Sequence, residues 1–160
     1  MKKIAHLLIL LSTCVAQIVY ADDADRFIGS WKLAKIEAKS ESGDWQKIER
    51  WGDNPFGILM YDSVGNMAVQ LAYEDRNAES TPVPNSEVVD GYVAYVATYD
   101  VNSSDRTVTH HRLFHTNPKA DGLSVVRYYE FDGNTLTLTV APDRNLRLTW
   151  IRLDEKIRTN

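Results

Sequence analysis

Six side chains in the second half of the chain are of the types that hold and polarise small molecules: Tyr95, Tyr99, His110, Arg112, Arg127 and Tyr129. The two guanidiniums bring fixed positive charge and forked N–H donors. The phenols and the imidazole can donate or accept. Gathered inside a fold, such groups anchor a small amphipathic carboxylate, a phenol or a polyketide-like molecule. A buried arginine is costly unless an acid, carbonyls or a ligand meets it. The competing reading is therefore an internal network in which Arg127 pairs with Glu130, Asp90 or backbone. His110 beside Tyr95 or Tyr99 also suits a general base. Arg127 would then stabilise an enolate in a cofactor-free isomerisation or cyclisation.

His110, His111 and His115 invite a metal hypothesis. On an extended strand His110 and His111 point to opposite faces. His111 and His115 share a face but lie about 13 Å apart at ~3.3 Å per residue. The sequence thus points to no metal site and no cofactor. Gly-x-Ser-x-Gly, a phosphate loop and His-Glu-x-x-His are all absent.

The elements that must position these residues are strands. Runs at 92–101, 107–115, 123–131, 135–140 and 146–153 are rich in Val, Thr, Tyr, Leu and Ile, and short polar or Gly-containing turns separate them. Upstream, strands are expected over 31–38, 45–48, 57–61 and 66–73. This is an all-β antiparallel up-and-down meander, and a meander of this length must close into a barrel to protect its edges. Residues 74–85 are polar and contain Pro82 and Pro84. Residues 86–91 suit one short helical turn, capped by Ser86 and stopped by Gly91. Together they read as a flap or plug at one barrel end.

Alternation assigns the faces. The inward set comprises Tyr95, Ala97, Tyr99 and Val101, facing Val108, His110, Arg112 and Phe114. Val125, Arg127, Tyr129 and Phe131 follow, then Leu136, Leu138 and Val140, then Leu146, Leu148, Trp150 and Arg152. Met67, Val69 and Leu71 form the opposite wall. Trp51 flanks a loop where it could stack on a ligand or cover a barrel end.

The first 21 residues read as a signal peptide. Lys2 and Lys3 precede the apolar run 4–19, and Ala21 ends it before Asp22. The run is short and interrupted for a membrane anchor. The alternative of lipidation at Cys14 rests on 11–14, where Thr13 fits poorly. Cleavage after Ala21 leaves 139 residues as one domain, with no cysteine. It removes two lysines and no acid, which leaves 16 basic against 22 acidic residues and a net charge of −6. The expectation is export to the periplasm or beyond, with no membrane span after cleavage. An acidic surface argues against nucleic acid as a partner, and the oligomeric state is left open.

Gly29-Ser-Trp31 at the start of the first strand matches the Gly-x-Trp signature of lipocalins. Arg152 on the last strand, two residues after Trp150, sits where lipocalins place an arginine over the signature indole. Such a stack seals the end where first and last strands meet. Further marks are Asn54-Pro-Phe-Gly-Ile-Leu-Met-Tyr61, Gly65-Asn-Met67 with Gln70, Gly91-Tyr-Val-Ala-Tyr95 with Tyr99, Thr109-His-His111, Phe131-Asp-Gly133 and Leu148-Thr-Trp-Ile-Arg152. In this ordered set the chain resembles the bacterial and fungal lipocalin-like domain family over its whole mature length. The resemblance implies a lipocalin-like β-barrel closed by Gly29, Trp31, Trp150 and Arg152, and it transfers no catalytic set. The expected role is capture of a small apolar or amphipathic ligand. Two alternatives remain: the isomerase or cyclase, and a filled barrel serving as a structural or protein-interaction module.

Overall fold

The computed structural model describes residues 23–76, 88 and 91–154. Residues 1–21 with Cys14, residues 77–87 of the expected flap, and most of the helical turn expected at 86–91 lie outside them. Nine strands are present among the described residues: β1 Gly29–Lys39, β2 Trp45–Lys47, β3 Phe56–Tyr61, β4 Asn66–Ala72, β5 Tyr92–Asn102, β6 Thr107–His115, β7 Ser124–Asp132, β8 Thr135–Val140 and β9 Leu146–Arg152. The order β1-β3-β4-β5-β6-β7-β8-β9 closes through β1–β9 pairing, so eight antiparallel strands form a barrel. The short β2 lies beside the far half of β1, at Glu37, Ala38 and Lys39, while the near half pairs with β3.

The turns hold because their residues satisfy themselves. Between β3 and β4, Asp62 accepts hydrogen bonds from the Val64 and Asn66 amides at 2.9 and 2.8 Å. Bonds from Asn66 hold the Asp62 carboxyl below its usual range. Between β5 and β6, Asn102 accepts from the Asp105 amide and the Ser104 hydroxyl. Such Asx turns set the hairpin register.

Alternation places Val93, Tyr95 and Ala97 inward on β5, and Val108, His110 and Arg112 inward on β6. The expected inward Phe114 is a correction. Ala97 pairs with Arg112 and Val96 with Phe114, so Leu113 is an extra residue in β6. That bulge inverts the alternation beyond it. Phe114 is 68% exposed and His115 is 1% exposed. His111 and His115 consequently face opposite sides.

Ahead of the first strand, the polar stretch 22–26 reads in the sequence as a loose leader, and the structure corrects this over the described residues 23–26. Asp23–Phe27 forms a helical turn, α1, whose Phe27 is fully buried. Its ring meets Tyr61, Tyr129 and Phe131 edge-on, with centroids 5.0–5.2 Å away. The Phe27 carbonyl accepts from Trp31 Nε1 at 2.9 Å. This layer stoppers one end of the barrel.

The same end carries the seal. The Arg152 guanidinium lies 4.1 Å from the Trp31 ring centroid and donates to the Ile28 carbonyl at 2.7 Å. Gly29 makes room for it. Its φ is +131°, and a Cβ there would sit 2.8 Å from Arg152 Nη1. Gly29→Ala is therefore expected to lower stability by about 2 kcal/mol through backbone strain and displacement of the guanidinium. Urea unfolding checks this, and a wild-type midpoint would remove Gly29 from the seal.

Candidate functional site

Above the aromatic stopper the barrel is hollow. A cavity of about 320 Å³ occupies its other half. Ile36, Leu59, Val69, Leu71, Val93, Leu138, Val140, Leu146 and Leu148 make its walls apolar. Ile48, Trp51 and Val88 also line it. Trp51 packs edge-on against Tyr73 with centroids 4.7 Å apart. The loop after it is tied down by Glu74, which accepts from the Asp53 and Asn54 amides at 2.6 and 3.1 Å. Bonds from Asn54 hold the Glu74 carboxyl below its usual range.

Against these walls stand Tyr95, His110, Arg112, Arg127 and Trp150. Their positions follow from register. Tyr95 on β5 and His110 and Arg112 on β6 alternate inward on adjacent strands. Arg127 on β7 lies opposite Val108, diagonally next to His110. The Arg112 guanidinium covers the Tyr95 ring at 4.9 Å, and that ring also stacks on His115 at 5.5 Å. Arg127 donates to the Val126 carbonyl at 3.2 Å and meets no carboxylate among the described residues. Glu130, a sequence candidate for that pairing, is exposed on the outer face.

His110 is 1% exposed and spans two phenols. Its Nε2 lies 2.8 Å from the Tyr61 hydroxyl and its Nδ1 lies 2.9 Å from the Tyr95 hydroxyl. Burial, with the nearby charges of Arg127 and Arg112, pushes its pKa down to about 3. Burial likewise drives the Tyr61 phenol well above its ordinary 10. At neutral pH His110 and Tyr61 are therefore uncharged. An imidazole with both nitrogens engaged and so weak a basicity is poorly suited to take a proton from a substrate.

The structure thus brings Tyr95, His110, Arg112 and Arg127 together at one cavity. Tyr99 and Tyr129 point inward but belong to the stopper layer. Tyr99 packs on Tyr61 at 4.7 Å and donates to the Asp62 carbonyl. Tyr129 packs on Phe27 and donates to Asp23 at 2.8 Å. Val69 and Leu71 line the cavity, whereas Met67 is core outside it. His111 faces outward between Asp100 and Ser124, at 2.9 and 2.8 Å. No group of three metal-ligating side chains occurs among the described residues. Sequence reasoning missed Tyr61 and the cavity role of Trp150. For Tyr61 the available signal was the β3 alternation that puts Leu59 and Tyr61 on one face.

The sequence pattern of the lipocalin-like domain family matches residues 28–151. No curated protein matches the chain. Among solved structures, the barrel is similar to a lipocalin-like protein from Bacteroides uniformis ATCC 8492. The identity is 10% and the TM-score 0.46, over 79% of this chain and 98% of that one. It is also similar to an uncharacterized protein from Bacteroides eggerthii DSM 20697, at 9% identity and TM-score 0.46, over 79% and 99% of the two chains. The wild-type fluorescent protein UnaG aligns at 15% identity and TM-score 0.39, over 81% and 99%. The family match takes in the barrel strands up to Ile151, one residue short of the end of β9, and includes both Trp31 and Trp150; on that match the chain belongs to the lipocalin-like domain family.

Proposed function

We propose that this protein is exported and captures a small apolar or amphipathic molecule inside its barrel. The observation that carries the reading is the cavity of about 320 Å³, with hydrocarbon walls and the guanidiniums of Arg112 and Arg127 on one side. A filled barrel would leave no such volume. Apolar burial supplies most of the affinity, at ~25 cal/mol per Å², and reaches the micromolar range after association costs. The polar cluster orients the ligand. The depressed basicity of His110 favours capture over proton transfer. Among the described residues no helix is long and apolar enough to cross a membrane.

Native mass spectrometry of the protein from its own host tests capture and export together. It reports a co-purifying small molecule, and whether the chain begins at Asp22. Titration with an anionic naphthalene sulfonate probe tests the anchor. Arg127→Ala is expected to weaken the probe about 10–100-fold, the loss of a charge-assisted contact worth ~1.5–3 kcal/mol. A protein that is empty from its host and silent towards the probe would end the capture reading.

A further inference from the structure

The outer wall of the barrel carries a second hollow, a groove of about 550 Å³ over β7, β8 and β9. Register builds its floor. Tyr128 pairs with Thr139 and Thr139 with Arg147, while Glu130 pairs with Thr137. These residues alternate with Arg127, Leu138 and Leu148, which line the inner cavity, and so face outward. Lys39, Arg106, Arg144 and Arg147 bring four cations to the groove, in a chain of net charge −4.

Two of these arginines stand on costly backbone. Arg106, in the turn between β5 and β6, has φ +51°, and Arg144, in the turn between β8 and β9, has φ +53°. Among the described residues they are the two non-glycine positions with positive φ. Glycine enters that region freely, whereas a side chain there is strained. Both turns would close more cheaply with glycine, yet both carry arginine, and both arginines line one groove. Strain of this kind collects at ligand sites. The cations are also held in place. The Arg144 guanidinium lies 3.7 Å from the centre of the Tyr128 ring, and that of Arg147 lies 4.3 Å from the centre of the Trp45 ring. Arg147 Nε donates to Glu37 at 2.8 Å. A guanidinium already stacked loses little freedom when it meets an anion.

We propose that this groove binds an anionic oligosaccharide, a short chain of sugars bearing carboxylates. The cations receive the carboxylates. Asp105 and Glu130, with the hydroxyls of Thr137 and Thr139, receive the sugar hydroxyls. The same two acids oppose a bare polyphosphate, which has no hydroxyls to offer them. The groove lies outside the barrel, so this site goes beyond the capture reading and does not rest on it.

The test titrates the protein with trigalacturonate, maltotriose and tripolyphosphate by calorimetry. Trigalacturonate is expected to bind about 10-fold or more tighter than either of the others. Arg106→Gly and Arg144→Gly should each weaken it about 5-fold, as for an exposed charge contact, and about 25-fold together. Their urea midpoints should hold or rise, because glycine relieves the strain. Lost affinity in these variants is therefore not lost folding. Wild-type affinity in the double variant, or no binding of trigalacturonate to the wild type, would overturn the site. Maltotriose binding as tightly would overturn the anionic assignment, and tripolyphosphate binding as tightly would overturn the carbohydrate. Midpoints that fall in both variants would show that the arginines hold their own turns, and would overturn the argument from strain.

Discussion

Phe27→Ala is expected to lower the stability of the folded barrel by about 3–5 kcal/mol, the range for emptying a large aromatic site in a core. The size follows from where the ring sits. It is fully buried, with Tyr61, Tyr129 and Phe131 edge-on around it at 5.0–5.2 Å. Those rings belong to β3 and β7, on opposite sides of the barrel end, so the surroundings cannot collapse cheaply into the gap. The five-residue helix carrying Phe27 is too short to persist alone. Its docking depends on this ring and on the Tyr129 hydrogen bond to Asp23. Undocking would also withdraw the Ile28 carbonyl from Arg152 and loosen the seal over Trp31. Urea unfolding of the mature protein measures the loss. A change below about 1 kcal/mol would show that α1 merely lies on the barrel. The cavity lies on the other side of the layer, so ligand affinity of the folded fraction should change little.

The strands and their faces were legible because a half-buried strand repeats every two residues. That period placed Arg127, Arg112, His110 and Tyr95 correctly inside. It failed at Phe114, where one inserted residue, Leu113, reverses the parity, and nothing in the types 112–115 marks the insertion. Alternation also gives a face and not a height along the barrel axis. Tyr99 and Tyr129 are inward as expected, yet they stand at the level of Phe27, below the cavity. Their height is set by the stopper, and the stopper formed from a stretch whose acidic residues read as a loose leader. The Tyr61–His110 bond joins residues 49 apart in sequence. It exists only once β3 and β6 face each other across a closed barrel, so no local pattern could announce it. The closing pair Trp31 and Arg152 was legible from the family resemblance, with Gly29 beside it. The reason for that glycine, a φ of +131° under a guanidinium, needed the structure.

Stability is expected to fall steeply below pH 6.5, and His110 is expected to be responsible. Its ordinary pKa of 6.5 applies in the unfolded chain, whereas burial first, then Arg127 and Arg112, lower it to about 3 in the fold. Above pH 6.5 both states carry a neutral imidazole and His110 contributes no pH dependence. Between 6.5 and about 3 the unfolded chain binds a proton that the native barrel refuses. The unfolded state therefore gains about 1.4 kcal/mol for each pH unit of acidification through that window. The loss reaches about 2 kcal/mol at pH 5 and as much as ~5 kcal/mol near pH 3, a large part of a small domain's total stability. Glu37, whose carboxyl is lowered chiefly by its bond from Arg147, adds a loss of the same sign only below its ordinary 4.5. The window from 6.5 to 5 thus isolates the histidine from that carboxylate. Urea unfolding at half-unit steps through the window reads the slope. His110→Gln keeps one donor and one acceptor for Tyr61 and Tyr95 but cannot titrate. It should flatten the slope by the full contribution of one proton, whatever it costs at pH 7. Equal slopes in wild type and variant would mean that His110 accepts its proton inside the fold. The neutral His110 buried between Tyr61 and Tyr95 would then have to be given up.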